Sequence, residues 1–417
     1  MRKMKDSGIK WIGEIPADWN VIRCKYISSF LNGYAFDSKN LQKNFMFPVI
    51  RIGDIKSGGI DNVNCYGVNN NCGIENYLIK ENDILLAMSG ATVGKVGIAH
   101  NIENTYINQR VGIIRTNFPS YVFYCLSTKD FIEYILLCAN GSAQPNVSAR
   151  VYGEFSIPFP SKEIRMKISD FLNEKCSKID SLAADIRKEI DVLEEYKKSV
   201  ITEAVTKGLD TDADVIESSI YYMSPYNSKW RLSKIGYECT KLFRDFTEED
   251  IPLICSNKGK VLQRPIEMSG KMVSEDNAMQ GIRKGDIAIH GMDTWHGAIA
   301  ISDYDGKITR VVHVCDSVND KRFIVYYMQQ LAFNGVYKLI SNGVRGNTSD
   351  FRSWDKVKNI GIALPDVETQ SKIADYLDII CRHIENIIIE KKIQLTNLEE
   401  YKKSIIYEYV TGKKEVQ

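Results

Sequence analysis

The residues best able to do chemistry lie in two short loops, one in each half of the 417-residue sequence. The first loop is SGATVGKVG at 89–97, in which small residues surround Lys95. Such a loop binds a nucleotide when its glycines and lysine follow the GxxxxGK[ST] spacing. That spacing is absent, and the corresponding loop of the second half has no lysine, so the sequence argues against a nucleotide-binding loop.

The second loop is GMDTW, which separates His290 from His296. Histidine pairs can bind a metal, but no third ligand is evident nearby and Asp293 has no paired acid. The motifs GxSxG, HExxH and Asn/Asp-Pro-Pro-aromatic are also absent. We therefore predict no catalytic residue, no metal ligand and no cofactor in this chain. Contact with DNA, or loop packing, is the favoured interpretation of the second loop.

The composition is typical of a folded, water-soluble protein, with 44% hydrophobic and 26% charged residues. Ten cysteines without CxxC pairs argue against a disulfide framework and a structural zinc. The start has no apolar run behind its positive charge, and no run of about 18 apolar residues occurs, so we expect a cytoplasmic protein without a membrane partner. The net charge of +1 neither requires nor excludes a nucleic acid, because a local basic face can exist within a neutral total.

The elements that must position these loops are revealed by an internal repeat. Segment 157–207 aligns without a gap on 362–412, an offset of 205 residues, and LEEYKKS occurs identically at 193–199 and 398–404. In the first copy, Leu172 and Ile179 belong to a row of apolar residues spaced by seven, with Leu182 assigned to the companion row. This pattern is typical of a coiled coil and predicts two helices of roughly 45 residues each.

Long helices cannot bury such stripes alone, so the two are expected to pack on each other as an intramolecular antiparallel coiled coil. The segments that precede them show short strands and Gly/Asn/Asp turns, which predicts an α+β fold with two pseudo-repeated α/β domains. The predicted boundaries are 1–160 for the first domain, 161–208 for the first helix, 209–365 for the second domain and 366–412 for the second helix.

The charged residues of the repeated heptapeptide can be interpreted in two ways. A solvated helix face is the simpler interpretation. Because the charges are identical in both copies while apolar neighbours changed, we favour a surface that docks a partner or pairs the helices. The residues of this predicted docking surface are Glu194, Glu195, Lys197, Lys198, Glu399, Glu400, Lys402 and Lys403.

The chain resembles the specificity subunits of Type I restriction-modification systems over nearly its whole length. The resemblance rests on SGIKWIGEIPADWNV at 7–21, the DIL…G…GK pattern, AQPNVS at 143–148, and the helices that open at Pro160 and Pro365. It implies a non-catalytic reader of double-stranded DNA whose two target-recognition domains each read half of a split sequence. It also implies that the helices dock two adenine methyltransferase subunits and, through them, restriction subunits. S-adenosylmethionine is expected in the methyltransferase partner.

Under this interpretation, Lys and Arg contact phosphates while Arg, Asn, Gln and Ser read base edges. Arg51 and Trp295 are interpreted as frame residues, because each lies beside a strand. The predicted DNA-contacting residues are Ser89, Thr92, Lys95, Arg110, Gln144 and Asn146 in the first domain, and Asn257, Lys258, Lys260, His290, Asp293, Thr294, His296, Arg345 and Asn347 in the second.

Three alternatives remain open from the sequence. The chain could serve a fused nuclease-methyltransferase of a related restriction class. It could be a coiled-coil interaction protein with no DNA role, which would show no salt-sensitive binding to duplex DNA. A self-sufficient enzyme is the least favoured alternative, because it would require cofactor binding by the isolated chain.

Overall fold

The computed structural model describes residues 2–43, 45–56, 59–69, 73–139, 147–210, 212–265, 278–341 and 351–416. The chain forms two compact units. The first unit contains Met1–Arg187 and Lys392–Gln417, and the second contains Lys188–Lys391. The unit boundaries fall inside the two long helices, whereas the sequence-based division gave each helix a segment of its own; that division stays a prediction.

In its described part, the first unit begins with eleven strands and three short α-helices, which the first long helix follows in the chain. The strands are β1 (Met4–Asp6), β2 (Glu14–Pro16), β3 (Asn20–Arg23), β4 (Ser28–Asn32), β5 (Phe47–Ile50), β6 (Tyr66–Val68), β7 (Ile84–Ala87), β8 (Val96–Ile98), β9 (Tyr106–Ile107), β10 (Val111–Thr116) and β11 (Ser156–Phe159). The helices are α1 (Pro119–Leu126), α2 (Lys129–Ala139), α3 (Ala149–Glu154) and α4 (Lys162–Lys207). Short 3-10 helices include Cys24–Tyr26 and Gly90–Thr92.

The second unit repeats this order with local changes. Its strands are β12 (Val215–Ile216), β13 (Tyr226–Asn227), β14 (Arg231–Lys234), β15 (Cys239–Lys241), β16 (Leu253–Ser256), β17 (Lys260–Gln263), β18 (Met279–Ile282), β19 (Ile287–His290), β20 (Ile299–Ile301), β21 (Gly306–Thr309), β22 (Val312–Ser317) and β23 (Gly361–Leu364). Its helices are α5 (Ile235–Glu238), α6 (Lys321–Phe333), α7 (Val336–Leu339), α8 (Trp354–Lys358) and α9 (Val367–Val410), with a 3-10 helix at Thr294–His296.

Each unit contains a four-stranded antiparallel sheet with the same strand order. The order is β4-β10-β7-β8 in the first unit and β15-β22-β19-β20 in the second. The central strand β7 is wholly apolar because both of its faces are covered. Ile84 and Leu86 pack in the cluster that contains the helices, whereas Leu85 and Ala87 pack in a second cluster on the other face. The common frame of the two halves is therefore a sheet buried between two layers.

The small sheets on the second layer differ between the units. In the first unit, β5 pairs with β6 and, in parallel, with β9. In the second unit, β16 and β17 form a hairpin, and β18 pairs with β21. The frame is thus shared, while the layer that carries the variable loops is not.

Helices α4 and α9 contribute to both units and run antiparallel within each. In the first unit, Arg187 pairs with Glu399 and Asp180 with Lys402, so the residue numbers rise on one helix as they fall on the other. In the second unit the contacts Lys391–Glu189 and Lys197–Glu385 follow the same rule. The predicted α+β fold with an antiparallel helix pair is confirmed.

The apolar seam of α4 differs from the predicted rows at one position. Leu172, Ile179 and Ile186 are buried as expected, but Leu182 is 50% exposed and its neighbour Ala183 is buried. The assignment of Leu182 to the companion row is wrong. Adjacent helix residues lie about 100° apart, and the seam follows alternating steps of four and three residues, which selects the small alanine.

A glycine ends each long helix and packs beside a tryptophan. Gly412 has φ +70°, and a Cβ there would lie 2.8 Å from the ring of Trp19 and 2.6 Å from Pro16. Gly208 has φ +93° and lies against Trp230. Glycine adopts this left-handed conformation without a steric cost, which makes it a common helix terminator. Trp19, within the SGIKWIGEIPADWNV segment, and Trp230 in the second half therefore occupy equivalent places beside the ends of the long helices. Within the described ranges, no helix combines the length and apolar character needed to cross a bilayer.

Candidate nucleic-acid interface

The loop between β7 and β8 carries three of the predicted DNA-contacting residues of the first unit. It is closed by hydrogen bonds from the Gly94 N–H to the Ala87 carbonyl and from the Ala87 N–H to the Lys95 carbonyl, both 2.9 Å. Ser89 is buried, and its hydroxyl has no hydrogen-bond partner in the described part of the chain. The Thr92 hydroxyl donates to the Ile52 carbonyl at 3.4 Å. This loop is therefore held by its backbone, and Lys95 within it is partly exposed.

Two further segments meet this loop at Met88. The Met88 N–H donates to the Arg110 carbonyl at 2.9 Å, and the Val147 N–H donates to the Met88 carbonyl at 2.8 Å. Arg110 is exposed. The structure thus brings Ser89, Arg110 and the end of the AQPNVS element together, although they are far apart in sequence. Gln144 and Asn146 lie outside the described residues.

A fourth segment, the turn Arg51–Asp54, completes this cluster. The Asn108 N–H donates to the Ile50 carbonyl at 2.9 Å, which places the turn beside the segment that leads to Arg110. The Thr92 hydroxyl reaches the same turn through Ile52. We call the four segments 51–54, 88–95, 108–110 and 147 the first reading surface. The sequence favours a frame role for Arg51 because the residue lies beside a strand, yet the structure places it on this surface.

In the second unit, His290 organises the equivalent loop. Its Nδ1 accepts the backbone N–H groups of Met292 at 3.3 Å and Asp293 at 3.1 Å, which requires a lone pair on that nitrogen. Burial lowers the pKa of His290, while the Asp293 carboxylate, 3.3 Å from Nδ1, acts in the opposite direction. Because Nδ1 faces two N–H donors, the neutral ring fits this site. His290 therefore shapes the loop as an acceptor.

The remaining loop residues divide into buried and exposed groups. Thr294 is buried, and Trp295 packs against the helical core of the second unit, in line with a frame role. His296 is exposed and the Asp293 side chain is 44% exposed, so these two can reach a ligand. Across the described ranges, no cluster of three or more His, Cys, Asp or Glu side chains fits a metal ion.

The second unit has its own point of convergence at Gly291. The Gly291 N–H donates to the Val311 carbonyl at 2.9 Å, and a Cβ at this position would lie 2.8 Å from the Phe351 carbonyl oxygen. Only glycine allows this approach. Arg310 and Arg352 are exposed on the two segments that meet here. We call the segments 290–298, 310–311 and 351–352 the second reading surface.

Arg310 and Arg352 were not among the residues that the sequence predicted to contact DNA. A signal for Arg310 was present, because it precedes β22 much as Arg110 precedes β10. Arg345 and Asn347, which were predicted to contact DNA, lie outside the described residues.

The turn between β16 and β17 and the first residue of β17 carry three more of the predicted DNA-contacting residues. Asn257 and Lys258 are exposed. Lys260 lies 3.4 Å from Glu385 on α9, an acid that also pairs with Lys197. Partial burial raises the pKa of Glu385, but hydrogen bonds and charges from the two lysines outweigh this and lower it overall. The structure thus places Lys260 beside the helices.

The repeated heptapeptide makes the same contacts in both units. Lys197 pairs with Glu385 and Lys402 with Asp180, and the two acids are themselves related by the 205-residue offset. The next lysine of each copy pairs within its own helix, Lys198 with Glu195 and Lys403 with Glu400. Glu399 pairs with Arg187, and Glu194 also has an interaction. The first lysine of each pair therefore joins the helices.

The remaining outward-facing feature of this heptapeptide is its tyrosine. Tyr196 is 52% exposed and Tyr401 is 56% exposed. The two tyrosines occupy the same position in their copies. A repeated aromatic side chain at the helix surface can contribute a large contact area to a partner.

Comparison with known proteins agrees with this architecture. The family model for the type I restriction modification DNA specificity domain matches residues 16–192. The type I restriction enzyme MjaVIII specificity subunit of Methanocaldococcus jannaschii is 23% identical over 359 residues, which cover 81% of this chain and 80% of that protein. The putative MjaX specificity subunit of the same organism is 24% identical over 437 residues, which cover 96% of this chain and 95% of that protein.

One solved structure has the same fold over most of the chain. Its description reads "Structural basis underlying complex assembly and conformational transition of the type I R-M system". The TM-score is 0.66 at 16% identity, and the match covers 96% of this chain and 99% of that chain. The chain is thus similar in sequence to type I restriction enzyme specificity subunits, and it shares its fold with a protein of a type I R-M system.

Proposed function

We propose that this chain reads DNA sequence for a type I restriction-modification complex, and that each unit reads one half of a split target. One observation carries the proposal: the same sheet order presents different side chains at corresponding loops of the two units. Side chains at base edges determine which sequence is bound, whereas the frame only positions them. A single frame with two sets of loops therefore suits two different half-sites.

The two reading surfaces differ in the bases they suit. The first carries Lys95 and Arg110, which are donors for phosphates or for guanine O6 and N7. The second adds Asp293, a carboxylate that can accept a hydrogen bond from the N4 amino group of cytosine. We expect the two half-sites to differ accordingly. Both units are built on the same two helices, so we also expect an unread gap of constant length between the half-sites.

We further propose that the helices dock two methyltransferase subunits and, through them, restriction subunits. The repeated heptapeptide supports this, since Tyr196 and Tyr401 occupy equivalent exposed positions. Two like surfaces suit two like partners. In this arrangement the chain performs no catalytic step, and S-adenosylmethionine is bound by the methyltransferase partner.

The decisive experiment is to express the chain with the methyltransferase encoded beside it and to map modified adenines by sequencing. A two-part motif with a constant gap supports the proposal. A continuous motif, or a motif that does not depend on this chain, contradicts it. The polypeptide that co-purifies distinguishes a separate methyltransferase from a fused nuclease-methyltransferase.

Salt dependence separates the DNA reader from a coiled-coil interaction protein. Affinity for duplex DNA should fall by roughly 10³ to 10⁵ between about 50 and 200 mM salt if six to ten phosphates are contacted. Fluorescence anisotropy with a labelled duplex measures this slope. No binding to duplex DNA at low salt would favour the coiled-coil alternative.

A further inference from the structure

Arg51 occupies an unusual position at the end of β5. Its guanidinium carbon lies 4.2 Å from the centre of the Tyr66 ring. Tyr66 is held on β6, because its neighbour in the sheet is Val49 of β5. A guanidinium over an aromatic face gains a cation–π attraction and keeps its plane parallel to a fixed surface. The ring against which Arg51 lies is thus held in place by the sheet.

The hydrogen-bond donors of Arg51 are largely unused. Its Nε is buried and has no hydrogen-bond partner among the described residues. The nearest carboxylate oxygen, on Asp54, lies 3.7 Å from Nε and instead accepts the Arg51 backbone N–H at 2.8 Å. The side chain remains 41% exposed. Within the described ranges, the charge is therefore only partly compensated, and the outer N–H groups are available.

A structural arginine of the same unit shows the difference. Arg115 donates from Nε and Nη2 to Asp83 at 2.9 Å, and from Nη2 to the Leu78 carbonyl at 3.0 Å. Its donors are used inside the protein, as is usual for a buried ion pair. Arg51 lies against the Tyr66 ring but has no such acceptors in the described part of the unit.

The surroundings of Arg51 are the first reading surface. The Asn108 N–H bonds to Ile50, and the Thr92 hydroxyl bonds to Ile52, so the loops on either side are attached next to Arg51. Lys95 and Arg110 lie on these same loops. A partly exposed guanidinium held against the Tyr66 ring therefore stands among the side chains that would face DNA.

We propose that Arg51 is a specificity-determining residue of the first unit, which donates two hydrogen bonds to O6 and N7 of a guanine in the major groove. The inference rests on the proposed function. A planar two-donor edge matches the planar two-acceptor edge of guanine, whereas a phosphate contact needs no fixed plane. In the second unit the sequence PLIC has the buried Cys255 where PVIR has Arg51, so the effect is confined to one half-site.

The test uses the full chain with its methyltransferase and compares the modified motifs of Arg51→Lys, Arg51→Ala and Tyr66→Leu. Lysine keeps the charge but cannot form the planar pair of bonds. We expect Arg51→Lys to reduce the preference for guanine over other bases, at one position of one half-site, by roughly 5- to 150-fold. Tyr66→Leu should weaken the same position, while Lys5→Ala, which removes an exposed charge from β1, should leave the motif unchanged.

The outcomes are distinguishable. An Arg51→Lys motif identical to a split parent motif overturns this inference alone, as does a uniform loss of binding over all sequences with a shallower salt slope, which indicates a phosphate contact. A parent chain without a split motif overturns the proposed function as well. Co-purification of the methyltransferase and thermal unfolding verify that each variant is folded; if Arg51→Ala does not fold, Arg51→Lys decides.

Discussion

At the base of its reading loop, each unit has an aspartate at an equivalent place, but the arginine that pairs with it comes from a different strand region. Asp83 accepts hydrogen bonds from Arg115 of β10, and Asp286 accepts them from Arg244, which follows β15. Each aspartate also accepts a backbone N–H from three residues earlier, at 2.8 Å. A buried carboxylate needs a cation, but the cation can come from any neighbouring strand. The two frames therefore share the arginine–aspartate contact, although the arginine comes from different positions.

The reading surfaces show the opposite behaviour. The first offers only cations, Arg51, Lys95 and Arg110, among the charged side chains predicted or proposed to face DNA. The second combines exposed Arg310 and Arg352 with an acid, Asp293, beside the neutral His290. Solvent-facing positions carry no packing constraint, so they can change with the target. The contrast between a constant anchor and variable surfaces leads to four predictions.

The largest effect is expected from removal of an anchor. Asp83→Ala and Asp286→Ala should each cost about 3 to 5 kcal/mol of stability, because each leaves a partly buried arginine without its partner. Chemical denaturation followed by fluorescence measures the loss. Glu133→Ala, which breaks an exposed pair with Lys129, is the control and should cost less than about 1 kcal/mol. An effect in only one unit would show that the anchors are not equivalent.

The second prediction concerns stability at low pH, and it applies to the second unit alone. Hydrogen bonds from Arg231, and then from Ser233 and Asn319, outweigh burial and lower the pKa of Glu238 from 4.5 to about 2. A lowered folded-state pKa stabilises the fold above about pH 4.5, and this contribution is lost as the pH falls toward 2.

Glu238→Gln should therefore cost on the order of 2 kcal/mol near neutral pH and progressively less between about pH 4.5 and 2. Urea denaturation at a series of pH values checks this. The first unit has Ile27 at the corresponding place after Trp19, so Ile27→Val serves as the pH-independent control. A pH-independent effect of Glu238→Gln would contradict the linkage.

The third prediction concerns the second reading surface. Asp293→Asn should change the preferred base at one position of the half-site read by the second unit, with a discrimination loss of about 1 to 3 kcal/mol. The first half-site should be unaffected. Sequencing of modified adenines measures both halves in one experiment. A change in both halves would show that the units do not read independently.

The smallest effects are expected on the helices. Lys197→Ala and Lys402→Ala should each cost about 0.2 to 1 kcal/mol, since the pairs with Glu385 and Asp180 are partly exposed. Thermal unfolding compares the two, which should be similar because the contacts are equivalent. Lys198→Glu and Lys403→Glu should leave stability nearly unchanged and weaken attachment of a methyltransferase. If both variants bind two methyltransferase subunits as tightly as the parent chain does, this surface has only a structural role.

The sequence by itself determined the duplication, the two long helices and the separation of constant frames from variable loops. These features depend on local pattern: seven-residue spacing, the absence of Gly and Pro inside the helices, and turn residues between short apolar runs. Such patterns are properties of neighbouring residues, so they can be recognised without knowledge of the tertiary contacts.

Tertiary structure alone decided which apolar and charged residues face inward. Leu182 and Ala183 are adjacent and both apolar, and only the packed helix shows that the alanine enters the seam. Lys402 and Lys403 are identical in type, but Lys402 finds its acid 222 residues away. The assembly of segments 51–54, 88–95, 108–110 and 147 into one surface likewise depends on long-range strand pairing. A contact between distant residues leaves no local pattern, and for that reason the role of Arg51 emerged only from the fold.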